Sequence, residues 1–376
     1  MTFNSAVFLV FLAVFLALWP LARERQRPRW VFLTLASFLF YGWWDWRFLF
    51  LLVGTGVVDF AAALAMARWP AWRKPVLAAS LAANLGTLAV FKYAAFLLSM
   101  INPALGCLGL RLDIPAGSLA LPVGISFYTF QSMSYTIDVY RGQLRPVRDP
   151  WQFFAFLALF PQLVAGPIVR AADLLPQLVD PPRPTDAMRW EGLKLVIGGY
   201  VKKTVIADNL APAVNAAFDG GGGGSPLYWW LVMAMFAFQI YGDFSGYSDI
   251  ARGLAKWLGY EFRVNFDHPY LLTSFTDFWR RWHISLSSWF RDYVYLPLGG
   301  SRQGVLRTHL NLWITFLLSG LWHGAAWTFV AWGGFHALLV SLERVTDWPR
   351  RAGILARPLL WALVLASWVP FRAASL

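Results

Sequence analysis

Apolar runs long enough to span a bilayer alternate with short polar turns along most of this chain. The first run, residues 6–22, follows the uncharged stretch 1–5 and precedes Arg23, Arg25, Arg27 and Arg29. A cleavable signal peptide carries its positive charge before the apolar stretch. Here the charge comes after, so the run predicts a retained span with the N-terminus outside and the arginines in the cytoplasm. Runs at 30–44 and 48–67 predict two more spans, and Arg68, Arg73 and Lys74 return the chain to the cytoplasmic side. Residues 76–101 predict a further span interrupted by Lys92, followed by an outside loop at 102–117. Then come 122–140, rich in Ser, Thr and Gly, and 151–169, which re-enters the bilayer after a loop carrying Arg141, Arg145 and Arg148. Residues 170–192 are polar and Pro-rich, 193–210 amphipathic, and 220–224 a flexible glycine linker. A strong span is expected over 226–254. The stretch 256–307 is too charged to cross and predicts amphipathic or re-entrant helices on the cytoplasmic side. Residues 308–342 contain no Asp, Glu, Lys or Arg. As one straight helix those residues would reach about 52 Å against a hydrocarbon core of about 30 Å. A break is therefore required, and Gly320, Gly324, Gly333 and Gly334 are the candidate places. A last span starts at 358–370.

Composition agrees with this pattern. Of 376 residues, 58% are hydrophobic and 14% charged, whereas a soluble domain averages about 45–50% and 25%. The 22 tryptophans suit a membrane–water boundary, where an apolar ring with a polar edge is at home. At about 20 residues per span the length accommodates roughly ten spans, and the expectation is an all-α, polytopic integral membrane protein forming a single membrane domain over 1–376. A net charge of +12 raises the question of nucleic acid. The Lys and Arg residues, however, lie in short loops between apolar runs rather than on a soluble module, so no nucleic-acid partner is expected. The single cysteine, Cys107, excludes an internal disulfide and a Cys-based zinc site.

Ionisable groups at membrane depth are costly and mark function by default. His323 stands near the middle of the uncharged stretch, in Ser319-Gly320-Leu321-Trp322-His323-Gly324-Ala325-Ala326-Trp327. The flanking small residues leave room for a substrate or a neighbouring backbone. A neutral imidazole there is able to accept a proton; a core histidine with both nitrogens satisfied fits the same position. His283 is the second candidate, in Trp279-Arg280-Arg281-Trp282-His283-Ile284-Ser285-Leu286-Ser287. On one continuous helix Trp279, His283 and Ser287 would share a face, as would Arg280, Ile284 and Ser287. Arg280 and Arg281 suit a phosphate-bearing ligand or, equally, lipid headgroups. Within the 226–254 span, Gly242 and Gly246 form a small-xxx-small pair beside Asp243, which reads first as helix packing. His268, His309 and His336 read as structural. No His-Glu-x-x-His pattern and no phosphate-binding Gly-x4-Gly-Lys-Ser/Thr loop occurs, so neither a metal centre nor a transport ATPase is expected.

Several blocks taken together resemble the membrane-bound O-acyltransferase superfamily, and within it the alginate O-acetyltransferase type. They are Pro122-Val123-Gly124-Ile125-Ser126-Phe127, Phe160-Pro161-Gln162-Leu163-Val164-Ala165-Gly166-Pro167, Asp243-Phe244-Ser245-Gly246-Tyr247-Ser248-Asp249, the 278–290 block, Tyr295-Leu296-Pro297-Leu298-Gly299-Gly300 and Leu321-Trp322-His323-Gly324-Ala325. The resemblance implies catalytic roles for His323 and His283, with Arg280, Arg281, Ser287, Trp322 and Asp243 around the substrates. It implies a central tunnel among the helices, by which a cytoplasmic thioester reaches the histidines while the acceptor arrives from outside. It further implies acetyl-CoA as donor substrate with no bound cofactor, periplasmic acetyltransferase partners, and an exported polysaccharide as acceptor, at the bacterial inner membrane. Members of this type continue past 368–375 with further helices, so C-terminal helices are expected to be missing here. Two other readings stay open. One keeps the family and changes the substrate, to D-alanyl transfer onto teichoic acid or to peptidoglycan O-acetylation. The other changes class, to a proton-coupled transporter using His323 and Asp243; its mark would be inverted repeats, and none is visible between the halves.

Overall fold

The computed structural model describes residues 1–113, 120–220 and 224–374. Every regular element among them is helical. By length and hydropathy, four helices among the described residues suffice to cross a membrane: Ala6–Arg23, Arg47–Arg68, Pro70–Gly106 and Trp348–Arg372. These cover the runs expected at 6–22, 48–67, 76–101 and 358–370. The loop expected at 102–117 begins instead as helix, through Gly106, and its residues 114–117 lie outside the described residues. So do residues 221–223 of the glycine linker. The chain contacts divide into two units, one of residues 1–197 and 248–262 and the other of residues 198–247 and 263–376.

In the first unit, packing gives the first apolar helix one buried and one exposed face. Phe8, Phe11, Phe15 and Trp19 of the first helix recur at helical spacing and are all buried. Val10 and Val14 on its other side are exposed. The buried rings meet Phe160, with centroids 5.3 Å away for Phe11 and 5.1 Å for Phe15. Deeper in this unit, fully buried Asp59 accepts hydrogen bonds from Ser80, Asn84 and Ser132. The Asn84 contact measures 2.9 Å. That carboxylate ties the Arg47–Arg68 helix to Arg73–Leu88 and Ile125–Tyr140, and polar side chains inside membrane helices commonly serve as such interhelical ties.

The run at 151–169, expected as one span, is instead broken into the short helices Pro150–Leu157 and Phe160–Leu163. Pro161 supplies no N–H, and its ring would clash with the carbonyl four residues back, so a continuous helix cannot pass. The freed backbone groups are taken up inside the protein. Phe160 N donates to Ser37 Oγ at 3.0 Å, while the Phe156 carbonyl accepts from Gln131 Nε2 at 2.9 Å and Gln162 Nε2 at 2.7 Å. Residues 155–160 are almost wholly buried. This segment is therefore apolar because it is core.

The second unit centres on aromatic side chains, with Trp332, Trp368, Phe275 and Phe278 among its most buried. The stretch 256–307 forms mostly short helical pieces, including Phe275–Arg281 and Ile284–Phe290. The uncharged stretch breaks once, between the helices Val305–His323 and Trp327–Thr346. Of the four glycines only Gly324 marks the break. Gly320 and Gly333 serve close packing of the two helices. A Cβ on Gly320 would stand 2.2 Å from the Phe329 carbonyl oxygen, and one on Gly333 2.4 Å from that of Phe316. Replacing Gly320 by Val should therefore destabilise the protein by about 1–3 kcal/mol or more. Its thermal midpoint in detergent should fall well below that of the same substitution at Gly54, where a Cβ meets nothing.

Candidate active site

His283 is placed by an interruption. The Phe275–Arg281 helix stops, Trp282 is extended, and His283 takes φ +44, a left-handed conformation, before Ile284–Phe290 begins. Histidine tolerates this region better than most side chains, yet it costs about 1–2 kcal/mol. The bend is held by a facing irregular segment of backbone: Asp267 N donates to Arg281 O and Ile284 N to Asn265 O, each at 2.9 Å. The one continuous helix that would have aligned Trp279, His283 and Ser287 on a face is thus absent. Even so, Trp279, Arg280, Ile284 and Ser287 all line one cavity.

Asn265 also fixes the protonation of the His283 ring. The main-chain N–H of Ser285 reaches the Asn265 side chain at 3.1 Å and the Ser285 hydroxyl at 2.9 Å. A backbone N–H only donates, so the Asn265 atom there is the carbonyl oxygen. That same oxygen lies 3.2 Å from His283 Nδ1, which must therefore carry the proton. Nε2 is then the ring's accepting nitrogen. His283 is 1% exposed and packs edge-on against Phe244, with centroids 4.6 Å apart.

His323 is the last residue of Val305–His323 and is half-buried. Its ring meets Trp332 at 5.0 Å and Phe371 at 5.2 Å. The space left by Gly324 is filled by the Phe329 ring, which a Cβ would approach to 2.0 Å. The small residues beside His323 thus admit a neighbouring side chain. Trp322 joins the two histidines, its ring 5.9 Å from His283 and 5.0 Å from His323. His336, read as structural, is fully buried, with Trp279 and Trp332 each 4.9 Å away.

A cavity of about 400 Å³, within the usual range of small-molecule sites, lies in the second unit, and neither His283, His323 nor Trp322 is among the residues that line it. Its lining includes Ser287, which begins one turn after His283, and Ser319, one turn before His323. Arg280 lines it; Arg281 does not. Arg281 instead holds Asp277 through a 2.8 Å hydrogen bond. Burial raises the Asp277 carboxyl, but Arg281 together with the Thr273 N–H and hydroxyl draws it below its usual range. Any stability from this pair is full above the ordinary carboxylate pKa and fades as the pH falls through the lowered one. Asp243 is likewise engaged, 2.6 Å from Lys203. Gly242 and Gly246 pack as expected: a Cβ would stand 2.9 Å from the Lys202 carbonyl oxygen in one case and 2.7 Å from that of Gly199 in the other. Nothing in the sequence pattern singles out Asn265, which lies 18 positions before His283 and on no helix shared with it.

His283, Trp322 and His323 thus stand side by side, and residues one turn from each histidine line a common cavity. The family is read from the whole chain. The profile of the membrane-bound O-acyltransferase family matches residues 7–353, and the chain belongs to that family. It is a multi-pass membrane acyltransferase. It is 40% identical to the probable alginate O-acetylase AlgI of Pseudomonas putida, an alignment covering all of this chain and 78% of that protein. The corresponding protein of Pseudomonas aeruginosa is 41% identical, with 73% of it covered. The peptidoglycan O-acetyltransferase of Helicobacter pylori is 34% identical over the whole chain, with 77% of that enzyme covered.

Exchanging Asn265 for Ala should lower acyl transfer about tenfold, the loss expected when one hydrogen bond of about 1.4 kcal/mol that orients His283 is removed. Asn265→Asp should retain more activity, because a carboxylate still accepts from Nδ1. Equal turnover in all three proteins would remove Asn265 from the site.

Proposed function

We propose that this chain is the membrane subunit of a polysaccharide O-acetylation system, taking acetyl from cytoplasmic acetyl-CoA and passing it across the inner membrane towards an exported, alginate-like polysaccharide. What carries this is the 40–41% identity to alginate O-acetylases along the entire chain. Identity falls to 34% for a peptidoglycan O-acetyltransferase, and to 29% over 57% of this chain for a teichoic acid D-alanyltransferase. Peptidoglycan acetylation is the second reading, since that likeness also runs the full length. In the proposed arrangement about ten helices surround a tunnel, with further helices on the cytoplasmic side, as one membrane domain. Arg23 to Arg29 lie in the cytoplasm, and periplasmic acetyltransferases are the partners.

The transfer needs a base and correct placement. His323 takes the proton of the acceptor hydroxyl as its oxygen attacks the thioester carbonyl. The carbon–sulfur bond breaks, and the proton passes to the departing thiolate. His283, held by Asn265 with Nε2 as acceptor, orients the reacting groups, and Trp322 keeps the two rings in place. Arg280 and Ser287 meet the donor from the cavity wall.

Changing His323 to Ala should cut acetyl transfer by about 10²–10⁴-fold, the range that general base catalysis supplies, with membrane insertion unchanged. The measurement is acetyl content of the exported polysaccharide in cells carrying either form, with the partner proteins present. Normal acetylation by a well-inserted variant would remove His323 from the chemistry. Acetyl lost from peptidoglycan alone would favour the second reading.

A further inference from the structure

In the first unit, the basic end of the first span borders a cavity of about 290 Å³. Its wall includes Trp19 and Arg23 from the helix Ala6–Arg23, Glu24 and Arg29 just beyond it, and Asp180 and Arg183. Arg29 is 3% exposed and, among the described residues, has no carboxylate within ion-pair distance. Its guanidinium donates instead to the carbonyls of Arg23 at 2.7 Å, Leu178 at 2.9 Å and Val179 at 3.1 Å. Two N–H donors on these lining residues, Arg29 Nε and Trp19 Nε1, are buried with no partner among the described residues. Buried donors are normally paired, and phosphate oxygens accept well from both kinds. The remaining charges nearly sort themselves. Glu24 lies 3.4 Å from Arg23 and 4.0 Å from Arg183, whose side chain is 88% exposed to solvent. That leaves Arg29 and the exposed Asp180 as one unpaired charge of each sign.

A second, open hollow of about 460 Å³ adjoins this one. It is lined by Leu16, Trp190, Leu193 and Trp257, with Asp186 and Arg189 paired to each other at 3.1 Å. The Trp257 N–H is spent on the Arg189 carbonyl at 3.0 Å, so the rest of that ring is apolar surface. Leu16 precedes Trp19 by one turn of the same helix, and Trp257 adjoins Leu258 of the first cavity, which makes the two hollows neighbours. The helix Ala6–Arg23 is long and apolar enough to cross a membrane and ends at Arg23. The charged cavity therefore stands at headgroup depth and the apolar groove one turn deeper, at the level of acyl chains. A free phosphate has no use for such a groove, whereas a lipid fills both parts. A head with phosphate and ammonium also answers both unpaired charges.

We propose that this cavity and groove hold one glycerophospholipid with an ammonium-bearing head. Its phosphate sits at Arg29 and Trp19, its ammonium at Asp180, and an acyl chain lies along Leu16, Leu193 and the Trp190 and Trp257 rings. Every residue involved belongs to the first unit, whereas the histidines belong to the second. The site is thus independent of the acetyltransferase reading. The lipid ties the end of the first span to residues 180–183.

The test titrates the delipidated full chain in detergent with dioleoyl phosphatidylethanolamine, dioleoyl phosphatidylglycerol and phosphoethanolamine, reading bound lipid by native mass spectrometry. Phosphatidylethanolamine should bind best and phosphoethanolamine, which lacks the chains, should compete poorly. Trp19→Phe keeps the ring and removes the N–H, and should weaken both lipids about tenfold, the loss expected for a charge-assisted hydrogen bond. Asp180→Asn should cut the preference for phosphatidylethanolamine over phosphatidylglycerol about fivefold, the upper end for an ion pair open to water. Arg25→Gln, exposed and outside the cavity, should bind as the unmodified chain does. Thermal midpoints without lipid confirm that each variant is folded. Equal affinity of the unmodified chain for the two lipids would overturn the ammonium assignment. Unchanged binding in both Trp19→Phe and Asp180→Asn would place the lipid elsewhere, and competition by phosphoethanolamine as strong as by the lipid would make this a small-ion site.

Discussion

A backbone polar group buried away from water must be paired, and in an apolar helical protein only the protein itself supplies partners. Much of this structure follows from where that requirement is met by side chains in place of helix. At Pro161 the helix cannot continue, and Ser37, Gln131 and Gln162 satisfy the groups it releases. At His283 the helix is interrupted again, and the backbone of Asn265 and Asp267 takes up the slack. The start of the Phe275–Arg281 helix is met by the Glu343 carboxylate, which accepts from Phe275 N and Thr276 N. Helix N-termini favour such negative charge. The breaks are therefore fixed points, each held by named residues.

The candidate site depends on the second of these breaks. A histidine within a regular helix would have its ring direction set by the helix face. At φ +44 His283 is instead presented by a corner, whose geometry is fixed by Asn265 through both its backbone and its side chain. Locally unfavourable backbone persists only where the surroundings over-determine it, and three hydrogen bonds on one amide oxygen do so here. His323 is held differently, at a helix end between Trp322, Trp332 and Phe371. One ring is oriented by polar contacts and the other by packing, and that division suits a pair with unequal roles.

Hydrophobic patterning located most helices because an apolar run of twenty residues has few other uses. It failed at 151–169, where the same composition serves a segment buried in protein. Burial in lipid and burial in core look alike in sequence. The glycines of the uncharged stretch show a similar ambiguity. All four were candidate breaks, yet Gly320 and Gly333 are where two helices touch, and glycine is required for either use. Arg280 and Arg281 are adjacent and chemically identical. Only the structure separates them, because Asp277 stands one turn from Arg281 while Arg280 opens onto the cavity.

The sequence by itself determined that the chain is a helical membrane protein, which family it belongs to, and that His323 and His283 are its sharpest polar features. These follow from composition, run length and local motifs, all of which are properties of neighbours along the chain. Only the tertiary structure decided that Asn265 sets the tautomer of His283, that Trp322 lies against both histidines, and that Arg291 and Arg344 join Arg280 at one cavity. Those relations link residues far apart in sequence, and no local propensity encodes them. They arise when the helices pack and every buried polar group has to find its partner.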